Sequence, residues 1–541
     1  GTIDDETPFV EVPVAITTQA NHTLILDLRA TDGNLDTMLY LVDSADNIIA
    51  QNDDRSREDF SSYIEFPEIP RGTYRVIATR YGVAAGGTSG EFELQISFAA
   101  RTAEDALVYD ESEAALMTAG FPALAPQPQA KWTILAYYGG DTNLEPGILN
   151  DFKEFERAGG STEEVRAVIL IDRHPEYSTA SGNWATTKIF EIGADQGSET
   201  LSIDSLELAD LGSRNSGDGE LLAQFLVWAV QQYPAENYAV TFASHGAAWR
   251  GVITDDSIGN AILTLPEMRK AFELATATAG VEKFELLIND ACLMSSVEYH
   301  QAMADFFLYS IASPEIVVDP ALDMQLFTES LNEDPSIAVD ELGRLLIDTY
   351  IDRDILLRPG ADNIYLTNAI TRLDRFDDLL DSINSFAALI NRDPRALSTL
   401  IGQARTRAYT YTAFLGSDEL IDLGNFMQQI KSITDDPDIL LAAEQVTKNL
   451  SDAVIYGRAG QRAESRTTYH NIYFPGQREA FTNSYFEETL LPQWGTMLRN
   501  YYNAVTPQVW ISEDAGIAFH APVAPKIRIA TIFPQIGRAH V

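Results

Sequence analysis

A chain of 541 residues with 80 acidic against 37 basic side chains carries a formal net charge of −43. That excludes a nucleic-acid surface built on phosphate neutralisation; it describes a solvated, self-repelling exterior whose field also favours cationic substrates. With 45% hydrophobic and 10% aromatic residues the chain has material for packed cores, and its length exceeds what one core fills, so two or three domains are expected.

Residues 1–100 read as β-strands throughout. Leu24–Leu28, Met38–Val42, Tyr63–Phe66, Thr73–Ala78 and Phe92–Ile96 are short apolar or alternating runs, separated by turn signals at Asp32-Gly33-Asn34 and Pro70-Arg71-Gly72. Strands at this spacing predict a small antiparallel β-sandwich. The acidic Asn52-Asp53-Asp54 after one strand and Gly72-Thr73-Tyr74 before another resemble bacterial pre-peptidase C-terminal domains, modules attached to secreted peptidases. Asp36, Asp53 and Asp54 read as a solvated acidic loop rather than a cation site, because no EF-hand-like spacing is present. Residues 101–130, rich in Ala, Glu and Pro, read as a linker.

From 131 to 505 apolar strands alternate with amphipathic helices. Trp132–Tyr138, Val165–Ile171, Tyr238–Phe242, Phe284–Ile288 and Leu308–Ala312 read as buried strands, with helices at 148–155, 219–232 and 265–277 between them. This order predicts an α/β fold, a mainly parallel sheet flanked by helices. Beyond 335 the chain reads as mostly helical, with strands at 363–366 and 471–474; 506–535 reads as the start of a truncated β segment. No apolar run is long enough to span a bilayer. The start at Gly1 shows no signal-peptide pattern, and 536–541 reads as a non-native tail.

Cys292 is the single cysteine, so it is either a small buried hydrophobe or a nucleophile. It follows the strand ending at Ile288, and His245 follows the strand ending at Phe242. Reactive groups of an open parallel sheet collect beyond the carboxyl ends of its strands. If these two strands are parallel, thiol and imidazole emerge on one edge, as a Cys–His pair requires. The amides of Gly246 and Cys292 could then donate to an oxyanion. His174, His300 and His470 lack any metal-binding spacing and read as structural.

Residues 131 to about 475 resemble the clostripain-like cysteine peptidases, whose fold is shared with caspases, gingipains and legumain. The resemblance rests on Tyr138-Gly139-Gly140-Asp141-Thr142-Asn143-Leu144-Glu145, on Trp228 through Tyr233-Pro234-Ala235, and on Ser244-His245-Gly246. It continues through Asp290-Ala291-Cys292-Leu293-Met294, Glu298, Ile421–Phe426 and Ile472–Pro475. It implies a caspase-like fold, His245 as the catalytic imidazole, Cys292 as the nucleophile and Asp290 at the base of a pocket for a substrate Arg or Lys. It departs from the family at Ala243-Ser244, where an aromatic usually precedes His-Gly, and at Pro320–Asp323, which replaces a Gly-Trp element of the pocket wall. Gly251 to Met268 holds no basic residue, so self-processing of the usual kind is not expected.

The implied function is a secreted, extracellular or cell-surface endopeptidase acting on protein or peptide substrates with a basic residue before the cleaved bond. The alternatives are a catalytically silent binding protein retaining the fold, and a peptidase of different primary specificity, which turns on Asp290 and on what lies near Asp319 and Asp323. The chemistry needs no cofactor. Calcium stays open, since some relatives depend on it and no metal site is readable in the sequence.

Overall fold

The computed structural model describes residues 2–4, 7–16, 22–42, 48–53, 61–66, 72–80, 88–100, 118, 120–197, 202–259, 261–358, 365–412, 418–460, 463, 465–482, 484–505, 510–512 and 515–518. Near the N-terminus two four-stranded sheets form. One has the order Thr2–Ile3, Gly90–Ala100, His22–Gly33, Ser62–Phe66; the other runs Phe9–Ile16, Gly72–Arg80, Thr37–Val42, Ile48–Asn52. All pairings are antiparallel. Alternate residues of both sheets, among them Leu24, Leu26, Leu28, Leu39, Leu41, Val76 and Ala78, meet in one core, as the two-residue period of a strand dictates. Asp36 and Asp53 join no cluster of potential metal ligands among the described residues, and Asp54 lies outside them.

Most of the expected linker also lies outside the described residues, but its last ten belong to the α/β domain. Phe121 is buried with its ring centroid 5.8 Å from that of Trp228. Trp228 Nε1 donates to the Pro122 carbonyl at 2.8 Å, and Gln127 N to Gln232 O at 2.7 Å. An aromatic anchor outweighs the linker-like composition around it.

The α/β domain is built on nine strands: β1 (Ala130–Gly140), β2 (Val165–Arg173), β3 (Lys188–Glu191), β4 (Leu206–Asp210), β5 (Ala235–Ala243), β6 (Phe284–Asp290), β7 (Phe307–Ala312), β8 (Thr367–Arg372) and β9 (Val454–Ala459). Their order is β4-β3-β2-β1-β5-β6-β7-β8-β9. The five central strands β2, β1, β5, β6 and β7 are parallel, and two antiparallel strands extend each edge. The chain steps from β1 to β2 on one side and resumes at β5 on the other, so a topological switch lies between β1 and β5.

Both faces are covered, which is why β2 is buried at every residue. One face packs against α1 (Glu145–Arg157), and the other against α2 (Gly219–Gln232) and α3 (Leu265–Ala279). Further along, α4 (Val297–Met303) follows β6, while α5 (Met324–Glu333) and α6 (Val339–Leu357) join α1 on its face. The start of α3 is set by a capping box, in which Thr264 N donates to Glu267 Oε2 at 2.9 Å. Its end is set by Gly280 at φ 68°.

The strand expected at 363–366 runs instead over Thr367–Arg372; residues 363 and 364 lie outside the described residues. Its buried Thr367, Asn368 and Thr371 break the apolar run by which an inner strand is recognised. The strand at Asn471–Tyr473 forms as expected, pairing with Leu420–Asp422. In the C-terminal β segment, Trp510–Ser512 pairs with Ala515–Ala518; 519–541 lie outside the described residues. Among the described residues no helix is long and apolar enough to cross a membrane.

The Phe272 side chain of α3 is fully buried between the rings of Phe307 (4.8 Å), Phe242 (6.2 Å) and Phe284 (6.4 Å). Phe272→Ala is expected to destabilise the α/β domain by about 3–5 kcal/mol, read as a lower urea midpoint of its unfolding transition.

Candidate active site

The register between β5 and β6 pairs Ala243 with Asp290. His245 and Cys292 therefore each lie two residues beyond level strand ends. The loops they occupy touch. A Cβ on Gly246 would lie 2.2 Å from the Cys292 carbonyl oxygen and 2.8 Å from Met294 Sδ, so only glycine permits this approach. Among the described residues neither the Gly246 nor the Cys292 amide donates to a backbone acceptor.

His245 is held from two sides. Its carbonyl accepts from Ile253 N at 3.0 Å, at the root of a hairpin formed by Val252–Asp255 and Ala261–Leu263. Its ring Nε2 lies 2.7 Å from Oδ1 of Asn143, in the loop after β1. With an amide oxygen as acceptor the proton is assigned to Nε2, and Nδ1 keeps its lone pair. Burial holds the imidazole below its ordinary pKa, partly offset by Asp256. Burial pushes the Cys292 thiol up to about 11; the Asp290 and Glu315 carboxylates add to this, against a hydrogen bond from Val317 N to Sγ at 3.3 Å. Burial thus disfavours the charged form of both groups.

Asp290 ends β6 on the α1 face of the sheet, with an Oδ2 that is buried and accepts no hydrogen bond. Burial and the nearby Glu154 and Asp319 raise its carboxyl to about 8, while Arg353 opposes them. Asp151 of α1 is raised by burial and by Asp290 itself. Asp319 is exposed, its Oδ1 3.3 Å from where a Cβ on Gly147 of α1 would stand. Asp323 is committed elsewhere: it caps α5 through Leu326 N (2.9 Å) and pairs with Arg353 (3.3 Å).

The segment in place of the family's Gly-Trp element is braced from behind by α6 and the residue after it. Tyr350 Oη accepts from Val318 N at 3.3 Å, Arg353 donates to the Ala321 carbonyl, and Arg358 donates to the Asp319 carbonyl at 3.0 Å. The nucleophile loop is clamped from the C-terminal side. Asn471 Nδ2 donates to Leu293 O (2.9 Å) and Pro314 O (3.0 Å), and Leu293 itself has φ 68°. Glu298 of α4 accepts from Tyr473 N at 2.9 Å and from Tyr485 Oη at 2.8 Å.

His300 and His470 stand apart from this edge, and His174 follows the end of β2 on it without reaching the Cys292 or His245 loop in any hydrogen bond among the described residues. His300 and His470 pair at 2.9 Å within the core, with His300 Nε2 3.0 Å from Ser310 Oγ. Burial drives His470 down to about 3. His174 accepts from Glu176 N at 3.0 Å and packs on Tyr177. Sequence reasoning quoted Asn143 only as part of a motif. The hint available was its place at the end of β1, next to the switch point.

The clostripain family model matches residues 136–513. The chain belongs to the clostripain family. Clostripain of Hathewaya histolytica is 25% identical over 189 residues, covering 31% of this chain and 35% of that protein. The chain therefore matches about a third of the length of this curated relative. A secreted C11 cysteine protease of Bacteroides thetaiotaomicron, solved with an irreversible peptide inhibitor, superposes with a TM-score of 0.50 at 16% identity, covering 68% of this chain and 99% of that one. An inactive zymogen C11 protease of Parabacteroides distasonis gives 0.50 at 17% identity, with 70% and 100% coverage. These structures support the same fold, and the clostripain-family match spans every residue of the edge just described.

Because Asn143 orients the imidazole without touching the thiol, Asn143→Ala should lower kcat on a peptide substrate by about 10–100-fold with little change in KM. Asn143→Asp, which keeps an acceptor, should recover part of it. Gly246→Ala should disrupt both, since its methyl group overlaps the Cys292 carbonyl; steady-state kinetics on the purified variants reads all three.

Proposed function

We propose that this protein is a secreted cysteine endopeptidase that cleaves peptide bonds after Arg, or after Arg and Lys, with Cys292 and His245 as a catalytic dyad. The observation that carries this reading is the contact of the His-Gly loop with the nucleophile loop at Gly246, with Asn143 holding the imidazole. As Sγ attacks the scissile carbonyl, His245 Nδ1 takes the thiol proton, and the amides of Gly246 and Cys292 receive the developing oxyanion. The imidazolium then protonates the leaving amine as the C–N bond breaks, giving a thioester. His245 next deprotonates a water molecule that attacks the thioester, freeing the acid and restoring the thiol. Burial raises the Cys292 thiol and lowers the His245 imidazole, so in this reading an ion pair of the two forms with substrate bound.

The basic specificity rests on Asp290. A buried carboxylate oxygen without a donor is a vacancy that a guanidinium or ammonium can fill. Asp319 adds a second carboxylate beside it, while Asp323, tied to Arg353, is not available. Secretion is supported by the attached sandwich and by the secreted relative from Bacteroides. The altered segment Pro320–Asp323 and the attached sandwich favour a second reading, a binding protein that keeps the fold without turnover.

The deciding experiment compares fluorogenic peptides ending in Arg, Lys or Asp, on the intact protein and on Cys292→Ala. Expected is cleavage after Arg, and less after Lys, that falls by at least about 1,000-fold in the variant; a folded protein with no cleavage sinks the peptidase reading in favour of the silent one. Asp290→Asn should cost about 100-fold or more in kcat/KM on Arg peptides and far less on peptides with an uncharged residue there. Asp290 has a raised pKa and must be ionised to pair with the substrate cation. The kcat/KM for Arg peptides is therefore expected to climb with pH up to about 8, a limb that uncharged peptides and Asp290→Asn should lack.

A further inference from the structure

One carboxylate at the active edge takes no part in the steps above. Glu315 follows the end of β7 at Ala312 and is 1% exposed. Among the described residues no lysine or arginine pairs with it, and its only opposing contacts are amides of Thr412 and Ile316. Enclosing a carboxylate without a cation is costly. What Glu315 holds therefore decides why it is there.

Its main chain serves the nucleophile. The Glu315 carbonyl accepts from Leu293 N at 3.0 Å, on the residue after Cys292. Ser313 Oγ closes the turn, accepting from Glu315 N at 3.1 Å and donating to Glu315 O at 3.0 Å. Two residues further on, Val317 N donates to Cys292 Sγ at 3.3 Å. The turn from Ser313 to Val317 thus touches both the thiol and the residue beside it.

The side chain reaches a stretch 97 residues away: Thr412 N donates to both carboxylate oxygens, at 3.1 and 3.0 Å. Ile316 N adds a bond to Oε1 at 3.0 Å. Thr412 has φ 53°, a left-handed backbone that a β-branched residue adopts only when held. The stretch is anchored in turn, through Tyr411 N to Leu420 O at 3.0 Å and Tyr411 Oη to Asp422 at 2.7 Å. Glu419, next to Leu420, pairs at 2.8 Å with Arg250 of the loop that follows His245. The chain that Glu315 grips is therefore fixed to the histidine side as well.

We propose that Glu315 is a positioning residue for the nucleophile: its ionised carboxylate locks the Ser313–Val317 turn to Thr412, which keeps the Val317 amide on Cys292 Sγ. A carboxylate offers two acceptors and no donor, as converging amides require. Protonation turns one oxygen into a donor facing N–H groups, and the lock loosens. The titratable groups around Glu315 are otherwise committed. Cys292 is the one on the nucleophile loop, with Asp290 beyond it at the end of β6. Tyr411 is bonded to Asp422, and His470, beside the Asn471 that bonds Pro314 O, is bonded to His300. The effect on turnover rests on the peptidase reading; the lock itself does not.

Burial raises the Glu315 carboxyl from 4.5 to about 7. Between those values the native state holds a proton that the unfolded chain has released, so stability falls as pH rises and the group charges. The charged lock costs stability and gains position, and the two can be measured apart. The test compares the whole wild-type protein with Glu315→Ala and with Glu315→Gln, which keeps one acceptor for Thr412 N. At saturating fluorogenic Arg peptide, where Asp290 is already paired with substrate, Glu315→Ala should lower kcat by about 10–100-fold with KM within about two-fold. Glu315→Gln should recover part of that loss. Wild-type kcat should decline as pH drops through about 7, a limb absent from Glu315→Gln; His245, lowered from its ordinary value, titrates below it. Without any turnover, the wild-type Tm should fall by a few degrees relative to that of Glu315→Gln between about pH 5 and pH 8.

Wild-type kcat in a folded Glu315→Ala, or a limb near 7 that persists in Glu315→Gln, would overturn the positioning role. A Tm difference between wild type and Glu315→Gln that does not change with pH would overturn the charged lock. Should Glu315→Ala not fold, the two Glu315→Gln comparisons decide. If the wild-type protein cleaves nothing, the peptidase reading fails separately, and the Tm comparison alone decides the lock.

Discussion

The active edge depends on one close approach, that of the Gly246 backbone to the Cys292 carbonyl. Parallel pairing of β5 with β6 places Ala243 level with Asp290, but pairing only delivers two loop starts to the same height. What turns them into one site is that position 246 carries no side chain, so the His loop can close on the nucleophile loop. The same glycine has an amide that donates to no backbone acceptor among the described residues. The contact between the His245 and Cys292 loops therefore rests on a single missing methyl group.

Electrostatics around this contact follow from burial more than from charge pairing. The chain has more than twice as many acidic as basic groups, and most of that excess is solvated and screened. Where carboxylates are drawn inside, as at Asp290, Asp151 and Asp172, the interior lacks enough cations to neutralise them, and their pKa values rise. Lys153 and Arg353 show where the protein solved the problem internally. The remaining enclosed carboxylates stay without a cation among the described residues, and on the α1 face Asp290 is the one assigned to a substrate side chain in the proposed function.

Legibility in the sequence tracked the type of signal. Continuous apolar runs such as Val165–Ile171 and Phe284–Ile288 announce inner parallel strands, because both faces of such strands are covered. The outer strands β3, β4, β8 and β9 carry no such run: β4 is largely exposed and β8 buries threonines and an asparagine, so period and hydrophobicity did not mark them. His245, Cys292 and Asp290 were singled out by strand-end logic joined to family resemblance, and the positions of the first two just beyond level strand ends follow from the β5–β6 register. The Asn143 contact, the α6 braces on the pocket wall and the Glu315–Thr412 contact were not, because each joins residues from distant stretches that only the fold brings together.

That sheet order explains why so many of these groups share one edge. The chain leaves β1 for β2 and returns to β5 on the opposite side, so no crossover helix covers the gap beyond the carboxyl ends of β1 and β5. The loops there must satisfy one another. Asn143 from β1 and His245 from β5 meet across the gap at 2.7 Å, and the Asp141 carbonyl meets the hairpin that follows β5. A histidine placed here is oriented by a neighbouring strand rather than by its own loop. Its ring position then becomes sensitive to whatever sets the loop after β1, which the Asp256 N to Asp141 O bond ties to the hairpin that follows β5.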